Sequence, residues 1–229
     1  MALAHKLRKL MSQSGLIMMS RLMGAGVGFL TQFLLVKLMG AHHLGLFYAA
    51  SSLAAILGVV AAQGYPQIAG RFVGRYRNKQ DGRLGGIFTG HALREGLVAA
   101  FAMAAAVTVW AAFWPSLALE ERLAYAIGGW MILAIAALNI LTNIAGGMRL
   151  FALCYVPEGL FRPIAFFVII ALAGMTGAAI TAPSAMCLFA AITAALAVAV
   201  GYLLLRNMAP IQWRMTAKPG LSWRWRNEA

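Results

Sequence analysis

The stretch between Arg162 and Arg206 contains 43 residues and no charged side chain. As one continuous helix it would be about 65 Å long at ~1.5 Å per residue, whereas the hydrocarbon core of a bilayer is about 30 Å thick. One membrane helix cannot use that length. The stretch must therefore fold back on itself, and residues 174–183, which contain two glycines and end in Pro183, supply the turn.

The chain as a whole is strongly apolar. Of its 229 residues, 62% are hydrophobic and only 11% are charged, which is too apolar for a water-soluble domain. We predict an all-α, polytopic membrane protein in which about six transmembrane helices form one bundle, residues 15–205. It lies between a basic N-terminus, residues 1–14, and a basic, Trp-rich tail or linker, residues 206–229. The predicted spans are residues 15–38, 44–69, 87–113, 123–145, 160–177 and 183–205.

The basic residues predict an orientation. Of the 19 Lys and Arg residues, 15 fall in the N-terminal segment, two alternate loops and the tail, whereas the other side has only Lys37 and Arg122. By the positive-inside rule, both termini face the cytoplasm. Because the net charge of +13 sits in short patches between apolar runs, we expect anionic lipids as partners and no nucleic acid.

Motifs of catalysis and metal binding are not found in the sequence. Asp81 is the only aspartate, and the four histidines form no HExxH motif, Cys/His pairing or Ser/His/Asp arrangement. We therefore expect no enzymatic activity, metal or cofactor. Gly24, Gly26 and Gly28 superficially resemble a nucleotide loop, but Gly24 and Gly28 share one face of a membrane helix, which favours close helix packing.

Charged residues inside the spans are the strongest candidates for a functional site. Arg21 lies in the first predicted span, and Arg94 and Glu95 lie in the third. A charge at mid-bilayer costs about 2.5 to 3.5 kcal/mol on insertion scales. The arginines either extend toward the cytoplasmic interface or line a water-filled, cationic cavity. Adjacent helical residues point about 100° apart, so Glu95 reaching Arg21 across helices is a more natural pair than Arg94 with Glu95.

Uncharged polar residues form two further pairs at a spacing of four. Gln63 and Gln67 flank Pro66 in the second predicted span, and Asn139 and Asn143 lie in the fourth. Each pair would share one helix face. Such faces make interhelical hydrogen bonds or line a hydrophilic path, and the spacing alone is compatible with both.

Several motifs resemble a known family. The N-terminal part, over about residues 10–95, looks like the start of polysaccharide and oligosaccharide flippases of the multidrug/oligosaccharidyl-lipid/polysaccharide exporter superfamily. The stretches that carry this resemblance are SRLMG at 20–24, FLLVKLMG at 33–40, GLFYAAS at 45–51, QGY at 63–65, RFV at 71–73 and RYR at 75–77.

The resemblance implies a function and a substrate. Such proteins carry lipid-linked sugars, typically undecaprenyl-diphosphate oligosaccharides, across the bacterial inner membrane by alternating access, with two bundles of about six helices around a cavity that is often cationic. Arg21 matches a cavity arginine of the related lipid II flippases. Val27 and Gly28 replace the basic and acidic residues found there, which makes lipid II a weaker candidate substrate. Arg21 and Arg94 would then hold phosphate, and Glu95 is a candidate for coupling transport to protons.

The length of the chain accounts for one of those two bundles. Three interpretations remain open: a truncated or split gene product, a half-transporter that pairs with a second copy or a separate C-terminal half, and a six-span protein with another role. The rival to transport is a non-transporting accessory subunit or scaffold of a polysaccharide assembly complex. A drug or metabolite transporter is a third option, weakened by the scarcity of acidic residues.

Overall fold

The computed structural model describes residues 2–78, 82–177 and 179–207. The predicted fold class is confirmed, because the described residues form helices and no strand. Five of these helices are long and apolar enough to cross a membrane. The elements are α1 (Ala2–Ala61), α2 (Tyr65–Asn78), α3 (Gly82–Phe113), α4 (Leu119–Gly147), α5 (Phe151–Val156), a π-helical segment (Pro157–Phe161), α6 (Arg162–Met175) and α7 (Ala182–Asn207).

The longest element, α1, is broken at Gly40. Its 60 residues would extend about 90 Å if straight, but Gly40 has φ 76° and ψ 171°, which a helix does not accommodate. We call residues 2–39 the first limb and residues 41–61 the second limb. Gln32 and Tyr48, eight residues before and after Gly40, line the same cavity. The chain therefore reverses direction at Gly40, at the junction of the first two predicted spans.

Packing contacts confirm that the two limbs run in opposite directions. The first limb runs parallel to α5 and α6, with Gly24 against Gly159 and Leu38 against Gly174. The second limb runs parallel to α4, with Ala50 against Gly128 and Gly58 against Ile135. α4 and α6 belong to successive, antiparallel passes, so the two limbs that run along them are antiparallel as well. α1 therefore supplies two passes, and the five apolar helices together supply six.

The two ends of the bundle differ in charge. One end holds α2, the α4–α5 turn and the end of α7, with Arg71, Arg75, Arg149 and Arg206, and we call it the basic end. The opposite end holds Gly40 and the start of α4. There His43 Nδ1 lies 3.5 Å from Glu120 Oε2, which ties the α1 turn to α4.

The second limb ends earlier than the predicted span 44–69. Gln63 and Gly64 have φ 49° and 75°, so the helix stops at Ala61 and α2 begins afresh at Tyr65. Since Gln63 lies in this break and Gln67 lies on α2, the two glutamines do not share the continuous helix face expected from their spacing. The predicted loop 71–83 is helical as far as Asn78.

The fifth pass begins earlier than predicted. It covers Phe151–Met175, whereas the sequence predicts residues 160–177. Pro157 and Pro163 each lack an amide hydrogen and so leave the carbonyls of Leu153 and Gly159 without their α-helical donors. The chain accommodates this with the π-helical segment Pro157–Phe161 instead of a loop, a distortion that is frequent at functional sites.

The remaining passes agree closely with the sequence. The third, fourth and sixth predicted spans correspond to α3, α4 and α7. α4 is the central helix and, among the described side chains, contributes the most buried residues, including Ile132, Leu138 and Ile144. A backbone helix also covers residues 2–14, so the predicted N-terminal segment continues the first limb.

Candidate functional site

A cavity of about 520 Å³ opens beside α3. Its polar lining comes from Gln63 at the end of the second limb and from His91, Arg94 and Glu95 on α3. It reaches Ala102, near the middle of the α3 span Gly85–Phe113. Gln63, Arg94 and Glu95, predicted as separate candidates from the sequence, are therefore brought together in one place.

Glu95 is held by two side chains. The Tyr65 hydroxyl donates to Glu95 Oε2 at 2.6 Å, and His91 Nε2 lies 3.2 Å from Glu95 Oε1, one helical turn away. Tyr65 is 1% exposed, and its ring packs edge-on against His91 and Phe88. The expected pair of Glu95 with Arg21 is not formed. Within the described part of the chain, the ion pairs join His43 to Glu120 and His91 to Glu95.

Arg162 lies between two further cavities. A cavity of about 320 Å³ and one of about 230 Å³ share Ser51, Arg162 and Phe189 in their linings, so they adjoin at the guanidinium. Arg162 is the twelfth residue of the 25-residue pass Phe151–Met175. It therefore sits at the middle of a membrane span, deeper than Arg94 or Arg21, which lie in the basic-end parts of theirs.

An aromatic cluster lies on one side of Arg162. The guanidinium carbon is 5.3 Å from the centre of the Phe189 ring, within range of a cation–π interaction. Phe189 packs on Phe47 and Phe166 with ring centres 5.8 and 5.1 Å away. These three rings, which we call the phenylalanine cluster, lie toward the end opposite the basic one, because Phe166 is one turn beyond Arg162 in α6.

Polar groups complete the lining around Arg162. Glu158 and Asn139 line the cavity of about 320 Å³, and the described residues place no ion pair between Glu158 and Arg162. Gln32 and Tyr48 line the smaller one. The guanidinium therefore faces hydroxyl, amide and carboxylate groups at mid-span without a tight carboxylate partner.

The second limb and the break after it contribute residues to all three cavities. Residues 51, 55, 59 and 63 of the second limb and its end follow one another at a spacing of four, and the first three line the cavity at Glu158 while Gln63 lines the cavity at Glu95. Ser51 also lines the third cavity. All three cavities are open on one side. We refer to these three cavities together as the groove.

The other predicted site residues lie apart from the groove lining. Arg21 is exposed and its guanidinium stacks over the Tyr155 ring at 5.6 Å. Asn143 donates to the Asn139 carbonyl of its own helix at 2.8 Å, and Gln67 is exposed on α2. Of the two predicted arginines, Arg94 thus lines a cavity, and Arg21 lies on the surface of the first limb.

Sequence reasoning missed Arg162, Glu158, His91 and Tyr65. Arg162 lies near the start of the predicted span 160–177, where the sequence analysis counts it with the basic residues of the preceding loop. His91 and Glu95 did carry a signal, since their spacing of four places them on one helix face. Tyr65 carried none, because it is 30 residues away from Glu95 in the chain.

No family model, curated protein or solved structure matches this chain. The functional interpretation therefore rests on the groove and on the motifs described above.

Proposed function

We propose that this chain transports a lipid-linked oligosaccharide, a polyprenyl-diphosphate glycan, across the bacterial inner membrane for polysaccharide biosynthesis. The observation that carries the proposal is Arg162, a guanidinium at the middle of a membrane span that lines two adjoining cavities. An isolated charge at this depth is unfavourable, so such residues usually serve a substrate path or a partner.

The chemistry of the groove suits a diphosphate with sugars attached. A guanidinium binds phosphate oxygens with two parallel charge-assisted hydrogen bonds. Hydroxyl and amide groups beside it, from Ser51, Ser52 and Asn139, can hydrogen-bond sugar hydroxyls. The sequence resemblance to oligosaccharide flippases points to the same class of substrate.

The openness of the groove suits one bundle of a two-bundle transporter. A second bundle, from another copy or a separate chain, would close the open side and create a path that faces each side of the membrane in turn. We propose that the basic end and both termini are cytoplasmic, since positively charged segments are retained on that side.

Replacement of Arg162 tests the proposal. In a strain whose glycan export depends on this chain, we expect Arg162→Gln to reduce surface glycan about 10- to 100-fold, because charge-assisted hydrogen bonds contribute about 1.5–3 kcal/mol. Arg162→Lys, which keeps the charge without the planar fork, should fall between wild type and Arg162→Gln. The measurement is cell-surface glycan per unit of membrane-inserted protein.

Arg149→Gln provides the matched control, because Arg149 lies in the α4–α5 turn outside the three cavity linings. It should export at the wild-type level. Wild-type export by Arg162→Gln would overturn the proposal and favour an accessory or scaffold role.

A further inference from the structure

A second functional element lies at the basic-end part of the groove, around Glu95. This carboxylate contacts groups from two helices: Tyr65 at the start of α2 and His91 on its own helix, at 2.6 and 3.2 Å. Only 11% of the His91 side chain and 26% of the Glu95 side chain are exposed. The pair is thus mostly buried and borders an open cavity of about 520 Å³.

The described charged side chains around Glu95 come from α3 itself and from the helices that pack on it. Arg94 lines the same cavity from the neighbouring position. The acidic and basic residues of α4 cluster at the opposite end, at positions 120–122, and the histidines of the second limb, His42 and His43, lie there as well. On α2, Arg71 and Arg75 are exposed beyond Tyr65 toward the helix end. Among the described residues, His91 and Arg94 are therefore the side chains near Glu95 that can carry a positive charge.

This geometry favours a proton over a metal cation. Both carboxylate oxygens of Glu95 have a close neighbour: Oε2 accepts a hydrogen bond from the Tyr65 hydroxyl, and Oε1 lies 3.2 Å from His91 Nε2. A sodium or calcium ion needs several free oxygen ligands, and no cluster of three or more His, Cys, Asp or Glu is found among the described residues. The nearby guanidinium of Arg94 adds repulsion for any metal cation.

We propose that Glu95 and His91 form a proton-binding site that takes up its proton from water in the cavity, with Tyr65 holding the carboxylate in place. A proton on the imidazole makes an ion pair with the ionised Glu95, and a proton on Glu95 neutralises the carboxylate and removes that attraction. No bond other than N–H or O–H forms or breaks.

Proton binding would act on the packing of α2 against α3. The Tyr65–Glu95 hydrogen bond is a polar link between these two helices, and it is charge-assisted when Glu95 is ionised. Protonation weakens the link and so favours a different α2–α3 arrangement. This last step rests on the proposed transport function, in which such a change would couple export to the proton gradient.

Infrared spectroscopy of the full chain in lipid vesicles tests the site directly. With glutamate labelled by carbon-13 at the side-chain carboxyl, a pH titration should show a carboxyl band that Glu95→Gln abolishes. Glu158→Gln, which removes the carboxylate lining a different cavity, should leave that band intact. Tyr65→Phe should change the frequency of the ionised carboxylate without abolishing the band, because it removes only the hydroxyl.

If Glu95→Gln leaves every pH-dependent carboxyl band in place, the proton site does not exist. Labelling histidine with nitrogen-15 gives a second readout: the His91 ring signals should change their pH response in Glu95→Gln, and an unchanged response would also overturn the proposal. In export assays, Glu95→Gln should lose dependence on the proton gradient. If Glu95 binds a proton but the Arg162 variants export normally, the proton site is supported and only the proposed substrate is refuted.

Discussion

Gly24 shows how closely the helices approach at the level of single residues. A Cβ at this position would collide with the carbonyl oxygen of Gly159, the carbonyl that Pro163 deprives of its α-helical donor. The Gly24 Cα hydrogen therefore points at that oxygen, a weak hydrogen bond typical of close helix pairs. The first limb is thereby fixed against the π-helical segment.

We expect Gly24→Ala to destabilise the protein by about 1–3 kcal/mol, as overpacking of a tight contact does. The matched control is Gly28→Ala on the same limb, since a Cβ there meets nothing within 4 Å. Thermal unfolding in detergent should show a lower midpoint for Gly24→Ala and an unchanged or raised midpoint for Gly28→Ala. Equal midpoints for the two variants would contradict the predicted clash.

The two glycines also show which residue contacts could not be predicted from the sequence. Their spacing predicted that both would pack closely, yet the contact is made by Gly24, and Gly28 lines a cavity. A spacing of four defines a helix face but does not say which turn of that face meets a neighbour. Similarly, the sequence identified Glu95 but paired it with Arg21, because contacts between distant segments depend on how the helices are arranged.

At the scale of elements, the sequence predicted most passes because charge-free runs and turn residues delimit them. The sequence-based prediction failed where one sequence feature is compatible with two different structures. Pro157 and Pro163 end helices in water, but inside an apolar pass the chain keeps its hydrogen bonds with a π-helical segment. Because the pass begins at Phe151, Arg162 lies at its middle and not near the start of a span, as the sequence predicts, and the centre of the candidate site shifts with it.

The break at Gly40 gives an element-scale prediction. Its φ of 76° is unfavourable for residues with a Cβ, so Gly40→Ala should lower stability by about 1–2 kcal/mol. Gly45→Ala is the control, because Gly45 is helical and has free space around its Cα. Replacement of a helical glycine by alanine favours the helix by about 0.5–1 kcal/mol, so Gly45→Ala should unfold at or above the wild-type temperature. If Gly40→Ala is as stable as Gly45→Ala, the left-handed conformation is not required.

At the scale of the whole molecule, the reversal at Gly40 determines the number of passes. Six passes place Gly15 and Arg75 on the same side of the membrane, and Glu120 on the other. A continuous α1 would cross once and place Gly15 and Arg75 on opposite sides. The prediction of six spans from the sequence and the six-pass arrangement of the helices can thus be checked together.

Single cysteines at these three positions provide the measurement. In a Cys154→Ala, Cys187→Ala background, a membrane-impermeant thiol reagent applied to intact cells should label Glu120→Cys and spare Gly15→Cys and Arg75→Cys. In inside-out vesicles the pattern should invert. Labelling of Gly15→Cys and Arg75→Cys from different sides would exclude the reversal.

The phenylalanine cluster has an electrical consequence. Phe47, Phe166 and Phe189 form an apolar wall of the smaller cavity just beyond Arg162. Where a hydrated groove reaches so far into the bilayer, the membrane voltage falls mainly across the thin dry layer that remains. A full crossing of the voltage changes the energy of one elementary charge by about 2.3 kcal/mol per 100 mV. If this bundle carries a diphosphate as proposed, the anion would pass this apolar wall, so we expect its transport to depend on the membrane voltage.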